Sequence, residues 1–278
     1  MSGFVRDKVI IVTGAGGGFG RLVCQKAGAL GAKLVCVDIQ EELVNETVAL
    51  ITSAGGIASS IVANVANLPE MQAATSHAIE RHGAIDVIVN NAGTMPLAFF
   101  ADHTAAAEAW SRCIDVNIKG VLNGIATVYD QMMKQGRGHV VNLSSIYGNF
   151  PVVGAGVYGA TKTAVNFLSE SLRVEAQGKI KVTIVKPTGV PGTGLGKGVI
   201  NDQAIVGILG QNAPSYLGDM AALASGTIDR ARLDPNDPGY AALDPTYIAD
   251  AIITAIDQPW GVSLGDITVR ATGDGYIL

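Results

Sequence analysis

Short apolar runs alternate along the chain with longer stretches in which apolar residues recur at helical spacing. The runs are rich in β-branched residues throughout, which is typical of parallel strands covered on both faces. The candidate strands are residues 8–13, 33–38, 59–64, 86–91, 139–144, 181–186 and 266–271. The candidate helices are residues 18–30, 41–53, 69–82, 104–135, 157–177 and 244–256. This alternation predicts an α/β fold, with a doubly wound parallel sheet of about seven strands and helices on both faces.

The alternation stops after Pro187. Residues 188–198 are rich in glycine and proline, and residues 199–243 show only weak periodicity. Elements predicted for the same sheet lie on both sides of this segment, so we expect one domain over residues 1–278. Long irregular insertions in compact domains usually serve a function. We therefore interpret residues 188–243 as a substrate-binding loop or lid.

Composition and charge exclude several functions. The chain has 278 residues, of which 48% are hydrophobic, and a formal net charge of −5 without a basic run, so we expect no nucleic-acid partner. The uncharged stretch 140–161 contains asparagines, serines, a proline and glycines, which predicts no membrane segment. Three cysteines, Cys24, Cys36 and Cys113, cannot all pair and indicate reduced core thiols in a cytoplasmic protein. The histidines show no metal-ligand spacing, so no metal site is predicted.

A glycine-rich string follows the first predicted strand and opens the first predicted helix. It is "VTGAGGGFG", with glycines at Gly14, Gly18 and Gly20. Glycines there permit a tight turn and let main-chain amides approach a pyrophosphate at the positive end of the helix. The strand–loop–helix context makes this string a strong indication of a Rossmann-type dinucleotide site.

Asp38 ends the second predicted strand. A carboxylate at that place can accept hydrogen bonds from the adenine ribose hydroxyls. Asp38 and Glu41 also match a capping box for the following helix. The sequence leaves both roles open.

Tyr158 and Lys162 lie one helical turn apart, at the end of the uncharged stretch. Residues at this spacing share a helix face. A buried ammonium beside a phenol favours the phenolate, so we expect Lys162 to lower the pKa of Tyr158 and make it an acid/base. The alternative is a half-buried helix end with an ordinary lysine whose stem covers apolar surface.

Taken in order, these motifs resemble the short-chain dehydrogenase/reductase superfamily over residues 5–195. The chain shows "TGAGGGFG", Asp38, "NV" at Asn64, "NNAG" at Asn90, "DVNIKG", "NLSS" and "YGATK". The resemblance implies a catalytic set of Asn117, Ser145, Tyr158 and Lys162. In it, Tyr158 exchanges a proton with the substrate oxygen, which Ser145 holds. Lys162 contacts the nicotinamide ribose, and Asn117 holds a water that links Lys162 to solvent.

The resemblance also implies a cofactor, NAD, because Asp38 would repel the phosphate of NADP. The implied cofactor contacts are Gly14, Gly18, Phe19, Gly20, Asp38, Ile39, Asn64, Val65, Asn91, Ala92, Gly93, Tyr158, Lys162, Pro187, Gly189 and Val190. The chain departs from the family pattern in three places, one of which is that residues 196–243 are longer than the family's usual substrate loop. Asn64 stands where the family often has Asp, and Pro187 is followed by Thr188 rather than Gly, which displaces the usual nicotinamide-contacting threonine to Thr193.

The residues expected to face the substrate suggest a moderately large apolar or aromatic ketone or secondary alcohol without a charged anchor. They are Thr94, Met95, Ser145, Ile146, Tyr147, Phe150, Val190 and Leu195, several of which could simply pack in the core. The expected function is NAD(H)-dependent interconversion of an alcohol and a ketone, in a homodimer or homotetramer. The alternative is a catalytically silent dinucleotide-binding sensor or scaffold of the same fold.

Overall fold

A computed structural model describes residues 3–277. Seven parallel strands form one sheet in the order β3-β2-β1-β4-β5-β6-β7. The strands are β1 (Val9–Thr13), β2 (Lys33–Asp38), β3 (Ile57–Val62), β4 (Val87–Asn90), β5 (Gly138–Leu143), β6 (Ile180–Pro187) and β7 (Asp266–Val269). This order reverses direction between β1 and β4, which is where doubly wound sheets bind their ligands. The predicted fold class is confirmed.

Helices cover both faces of the sheet, because successive side chains of each strand point to opposite faces. Ile10 and Val12 of β1 lie in one core cluster, while Val9 and Ile11 lie in the other. The helices are α1 (Gly18–Ala29), α2 (Glu41–Ser53), α3 (Leu68–His82), α4 (His103–Ile114), α5 (Gly120–Gln135), α6 (Gly156–Glu175), α7 (Val206–Leu209), α8 (Ala213–Ser225) and α9 (Pro245–Ile256). Helices α1, α2 and α9 contribute to the first cluster, and α3, α5 and α6 to the second.

Three boundaries differ from the sequence prediction. Strand β3 lies two residues earlier than the predicted 59–64, and β7 ends before the predicted 271. Both pair with one neighbour only and are partly exposed, so apolar patterning marks their ends poorly. The predicted helix 104–135 is divided by a π-helical segment, Asp115–Lys119. Such segments are common at functional sites and leave the average helical periodicity intact.

The segment 188–243 is more regular than its composition suggested. It contains α7, α8 and four short 3₁₀ helices, and it follows β6 at the carboxyl edge of the sheet. Within residues 3–277, every helix is too short or too polar to cross a membrane.

Candidate active site

The turn after β1 is shaped by close main-chain approaches. Gly14 has a φ of +66°, and a Cβ there would lie 2.9 Å from the Cα of Ala92. A Cβ on Gly20 would overlap the carbonyl oxygen of Gly14. Helix α1 begins at Gly18, and no side chain caps its first N–H groups. The turn therefore leaves main-chain N–H groups at the start of α1 available to bind an anion. The neighbouring Phe19 is partly buried against the first core cluster.

The Asp38 carboxylate is held by this turn and is not the cap of α2. Its Oδ2 accepts from the N–H of Gly16 at 2.8 Å, and its Oδ1 accepts from the N–H of Gln40 at 3.0 Å. The residue before α2 is Gln40, which makes no side-chain capping bond. The capping-box interpretation of Asp38 and Glu41 is therefore wrong. Ile39, beside the carboxylate, is 62% exposed.

Arg21 is the basic side chain nearest in sequence to the glycine turn, and it is directed towards α2. Its guanidinium donates to the carbonyl of Gly16 at 2.6 Å and to Glu46 Oε2 at 2.7 Å. Its Nε donates to Thr47 Oγ1 at 3.1 Å. These bonds hold the guanidinium between the glycine turn and α2.

The segment after β4 ties the glycine turn to the centre of the sheet. The side-chain amide of Asn91 donates to the carbonyls of Thr13 and Gly14 at 2.9 and 3.2 Å. The main-chain N–H groups of Asn91 and Ala92 both donate to Thr13 Oγ1. Asn91 is therefore a positioning residue for the glycine turn.

Asn64 and Val65 lie just beyond β3. Asn64 Oδ1 accepts from the N–H of Ala66 at 3.0 Å, which closes a local turn. Val65 is buried against α5, and a Cβ on Gly120 would lie 2.7 Å from its Cγ2. The side-chain NH₂ of Asn64 makes no hydrogen bond with the other residues in the range 3–277, so it remains available as a donor.

The four residues of the implied catalytic set converge at the carboxyl ends of β4 and β5. Lys162 Nζ donates to the carbonyl of Leu143 at 2.8 Å, and it lies 5.8 Å from the ring centre of Tyr158. Ser145 follows β5 and hydrogen-bonds the Tyr158 phenol. Ser145, Tyr158 and Lys162 are all less than a tenth exposed. The structure thus brings a phenol, an ammonium and a hydroxyl together at a site shielded from solvent.

Asn117 lies in the π-helical segment and is fully buried. Its Oδ1 accepts from the N–H of Thr94 at 2.9 Å, and its Nδ2 donates to the carbonyl of Thr94 and to Thr161 Oγ1, both at 3.0 Å. A Cβ on Gly93 would lie 3.3 Å from Asn117 Oδ1 and 3.7 Å from Lys162 Nζ. The extra residue of the π turn directs the amide across the loop after β4, towards the lysine.

Burial governs the protonation of the phenol and the ammonium. It raises the pKa of Tyr158 well above its ordinary value, and the hydrogen bond from Ser145 opposes this only in part. It lowers the pKa of Lys162 to about 8. The expectation that Lys162 would bring the pKa of Tyr158 below its ordinary value is therefore wrong for the protein's own groups, because desolvation of the phenolate is the largest influence on this pKa.

Two buried hydroxyls flank Ser145 without a hydrogen-bond partner in the range 3–277. They are Thr94 Oγ1, after β4, and Thr188 Oγ1, after β6. An unsatisfied buried hydroxyl costs about 1–3 kcal/mol, so such atoms often mark a place where a ligand binds. Thr193, the other candidate for a nicotinamide contact, lies against the glycine turn, with its Cβ 3.8 Å from where a Cβ on Gly18 would be.

The loop after β6 carries the remaining implied cofactor contacts. Pro187 ends the strand and is buried, and Val190 packs against the first core cluster. Gly189 lies under the hydroxyl of Tyr276, which a Cβ at that position would overlap. The loop after β6 thus contacts the C-terminal segment that carries Tyr276.

The implied substrate residues are only partly gathered together. Ile146 and Tyr147 lie in a third apolar cluster with Tyr158, and Met95 packs against it. The segment 188–243 adds Val199, Ala204, Ile205, Val206, Ile208, Leu209, Ala213 and Tyr216 to this cluster. Phe150 is 60% exposed, and Leu195 is half-buried in a 3₁₀ helix. Neither belongs to the cluster as described.

Sequence reasoning missed Tyr216 and Tyr276 in this cluster. Tyr216 comes from α8, and Tyr276 comes from the segment after β7. Neither belongs to a motif, and their approach depends on how the segment 188–243 and the residues after β7 pack against the third cluster. Aromatic residues make up only 5% of the chain. This scarcity was the one signal in the sequence that could have drawn attention to them.

The residues present fit a nicotinamide dinucleotide. The glycine turn offers main-chain donors, Asp38 offers carboxylate oxygens at the end of β2, and Thr94 and Thr188 offer unsatisfied hydroxyls after β4 and β6. The phenol and serine hydroxyl can act on one substrate oxygen beside them.

The known proteins that this chain resembles are oxidoreductases. The family model described as short chain dehydrogenase matches residues 8–204. An oxidoreductase of Staphylococcus epidermidis is 30% identical over 268 residues, which make up 96% of this chain and 98% of that protein.

Two solved structures are similar over nearly the whole chain. One is a short-chain dehydrogenase/reductase from Burkholderia phymatum in complex with NAD, with a TM-score of 0.74, 26% identity, and coverage of 95% of this chain and 89% of that one. The other is a metagenomic short-chain oxidoreductase in complex with NADP, with a TM-score of 0.72, 25% identity, and coverage of 96% and 99%. Similar proteins thus carry either dinucleotide.

Proposed function

This chain is an oxidoreductase of the short-chain dehydrogenase family, and from that premise we propose that it interconverts a secondary alcohol and a ketone with NAD(H). The observation that carries the proposal is the convergence of Tyr158, Lys162, Ser145 and Asn117 beside the glycine turn. A silent sensor or scaffold would have no need of a buried phenol and ammonium at this point.

When bound, NAD(H) would supply the acceptor or donor of a hydride. The turn residues Gly14, Gly18 and Gly20 would hold its pyrophosphate, and Asp38 its adenine ribose. Lys162 would hold the nicotinamide ribose, and Thr188 or Thr193 the nicotinamide amide. These assignments are supported by the main-chain geometry of the turn and by the unsatisfied hydroxyl of Thr188.

Tyr158 would move the proton. In ketone reduction its phenol donates to the substrate oxygen as that oxygen gains negative charge, and in alcohol oxidation the phenolate accepts the hydroxyl proton. Ser145 would donate a hydrogen bond to the same oxygen. Burial raises the pKa of Tyr158, which keeps the phenol at neutral pH in the protonated form that donates in ketone reduction.

Lys162 and Asn117 would support the phenol. Lys162, whose pKa is about 8, is mostly charged at pH 7 and stabilises the phenolate that remains after proton transfer. Asn117 fixes the loop after β4 through Thr94 and so holds the wall beside Lys162. Proton exchange with solvent would pass through a water near these two residues.

Asp38 supports the choice of NAD over NADP. A phosphate on the adenine ribose would bring negative charge towards a carboxylate that the turn already fixes at Gly16 and Gln40. Among residues 3–277, the ion pair of the nearby Arg21 is with Glu46 of α2 rather than with Asp38.

We also propose a homodimer or homotetramer in the cytoplasm. Leu122 of α5 and Phe167 and Val174 of α6 are 47%, 75% and 73% exposed, which is unusual for large apolar residues on adjacent helices. The three cysteines are buried and free, which suits a reducing compartment. Light scattering at micromolar concentration should give a dimer or tetramer mass, and a monomer mass would contradict the assembly.

The proposed function is tested by following reduced-nicotinamide absorbance with a panel of ketones and secondary alcohols. We expect turnover of at least one moderately large, uncharged member. Tight binding of NADH with no turnover of any member would instead favour the sensor or scaffold.

A further inference from the structure

Four tyrosines from distant parts of the sequence form one group that begins at the acid/base phenol. The rings of Tyr158 and Tyr147 meet edge to face, with centres 5.5 Å apart. Those of Tyr216 and Tyr276 meet in the same way at 5.9 Å. Tyr147 lies in the third apolar cluster, and Tyr216 and Tyr276 both pack against that cluster. The group therefore runs from the catalytic phenol to the end of the described chain.

Tyr276 reaches the edge of the sheet. A Cβ added to Gly189 would overlap its hydroxyl, so the phenol oxygen lies directly over the loop after β6. That loop begins at Pro187, next to the orphaned hydroxyl of Thr188. The C-terminal segment thus lies over the loop after β6 and packs, through Tyr276, against the apolar cluster that contains Tyr158.

The hydroxyls of Tyr147, Tyr216 and Tyr276 have hydrogen-bonding capacity that the protein leaves unused. The Tyr276 and Tyr216 hydroxyls are 3.4 Å apart. When one donates to the other, the acceptor keeps its own O–H, and both keep acceptor lone pairs. The Tyr147 hydroxyl makes no hydrogen bond with any other residue between positions 3 and 277, although the side chain is 8% exposed. A hydroxyl without a protein partner is free to donate to, or accept from, a ligand oxygen.

The electrostatic character of this group selects neutral ligands. Burial raises the pKa of both Tyr147 and Tyr276, so the phenols stay uncharged across the physiological range. The surrounding third cluster is apolar and includes Leu97, Ile146 and Leu209. A carbon skeleton would be accommodated by these side chains, with one neutral oxygen at the phenols.

We propose that Tyr147, Tyr216 and Tyr276 form a second polar subsite of the substrate pocket, and that the substrate is a neutral ketone or alcohol with a second hydroxyl or carbonyl oxygen. This inference rests on the proposed function and extends it from the reacting carbon to the far end of the substrate. It assigns a specificity-determining role to a residue of the C-terminal segment.

A purely structural role makes a different prediction. If the Tyr216–Tyr276 pair only anchors the C-terminal segment, loss of a hydroxyl lowers stability and affects all substrates alike. If it binds substrate oxygen, the loss falls on oxygenated substrates alone. A site built to bind an oxygen discriminates strongly against the analogue that lacks it.

The experiment compares benzylacetone with two analogues, one hydroxylated on the ring and one on the benzylic carbon. For wild type, Tyr276→Phe and Tyr216→Phe, the ratio of kcat/KM between each analogue and benzylacetone is measured. The ratio does not depend on the fraction of folded enzyme, because all ketones are tested on one preparation. Tyr247→Phe is the matched control, since Tyr247 is 39% exposed on α9 and contacts Tyr240 instead.

We expect wild type to prefer at least one hydroxylated analogue about tenfold or more, and Tyr276→Phe to remove most of that preference while benzylacetone changes less than about threefold. The affinity of the corresponding alcohol for the enzyme–NADH complex, measured by calorimetry, should fall in parallel. Tyr247→Phe should behave as wild type. Turnover without discrimination, or a preference unchanged in both Tyr276→Phe and Tyr216→Phe, would overturn the subsite alone. Absence of turnover with every ketone would overturn the proposed function and the subsite with it.

Discussion

At the carboxyl edge of the sheet, the side chains of the candidate site are held by main-chain groups. Lys162 is bonded to the carbonyl of Leu143, Asn117 to both main-chain groups of Thr94, and Asp38 to the N–H of Gly16. In the lid, residues 188–243, the approach to Tyr158 is made by apolar and aromatic contacts in the third cluster. The edge of the sheet fixes the positions of individual polar atoms, whereas residues 188–243 fill space with packed side chains.

We infer from this difference that the edge of the sheet determines the reaction and that residues 188–243 determine which substrate is bound. Hydrogen bonds to the main chain require particular residue types at particular spacings. The residues at the carboxyl edge of the sheet therefore belong to short sequence motifs. Packing contacts tolerate many combinations of residues of suitable volume. Changes at the edge should therefore affect every substrate alike, whereas changes in the lid should affect substrates unequally.

The largest effect is expected from Tyr158→Phe. Removing the hydroxyl should lower kcat by about 10²–10⁴-fold on every substrate, because proton transfer to the oxygen is lost. Thermal stability and dinucleotide affinity should remain close to those of wild type. Tyr129→Phe, on the far helix α5, is the control and should keep full activity. A Tyr158→Phe enzyme that retains most of its activity would show that another group moves the proton.

The next effect concerns the choice of dinucleotide. Like charges about 4 Å apart cost about 4 kcal/mol at an effective dielectric of 20, and partial solvation reduces this to about 1–3 kcal/mol. Wild type should therefore favour NADH over NADPH by about ten- to a hundredfold in kcat/KM, and Asp38→Ala should lose most of that preference. Asp130→Ala, on the exposed side of α5, should leave it unchanged.

A preference of wild type for NADPH would contradict this role. Asp38 would then serve only to hold the turn at Gly16.

The apolar runs of the sequence predicted the order of strands and helices. The grouping of Asn117, Ser145, Tyr158 and Lys162 was implied by the resemblance of the chain's motifs to a known family. The sequence could not indicate the π turn at Asp115–Lys119, since one extra residue leaves the apolar face of the helix intact. It could not place Tyr276 over Gly189, because that contact joins the end of the chain to a loop without a motif. It misjudged the pKa of Tyr158, because burial cannot be measured from spacing.

The third prediction is a pH profile with opposite signs for the two directions. Because burial raises the pKa of Tyr158, the phenol is protonated through the neutral range, and the phenolate needed for oxidation increases about tenfold per pH unit. The kcat/KM for alcohol oxidation should thus rise from pH 6 to about pH 8 and level off above it, where Lys162 loses its charge. For ketone reduction it should be flat below about pH 8, and then fall as Lys162, with a pKa of about 8, loses its charge. An oxidation rate that is independent of pH across this range would exclude Tyr158 as its base.

The smallest expected effect is on the lid. Arg230 lies in a short 3₁₀ helix of the lid and is exposed, so trypsin can test the mobility of that region. Cofactor and substrate together should slow cleavage there several-fold, because lids order as they close over a ligand. Cleavage at exposed Lys134, at the end of α5, is the internal control and should not change. Equal rates at Arg230 in both states would indicate that the lid is already fixed.

Deuterium transfer tests the central claim most directly. The enzyme is incubated with a ketone that it turns over and with NADH deuterated on the transferring face of its ring, and the alcohol is analysed by mass spectrometry. The account predicts one deuterium on the carbinol carbon for each NADH oxidised, and about 10²–10⁴-fold slower labelling with Tyr158→Phe. An alcohol without the label, or a wild type that binds NADH and labels no ketone in the panel, would contradict it.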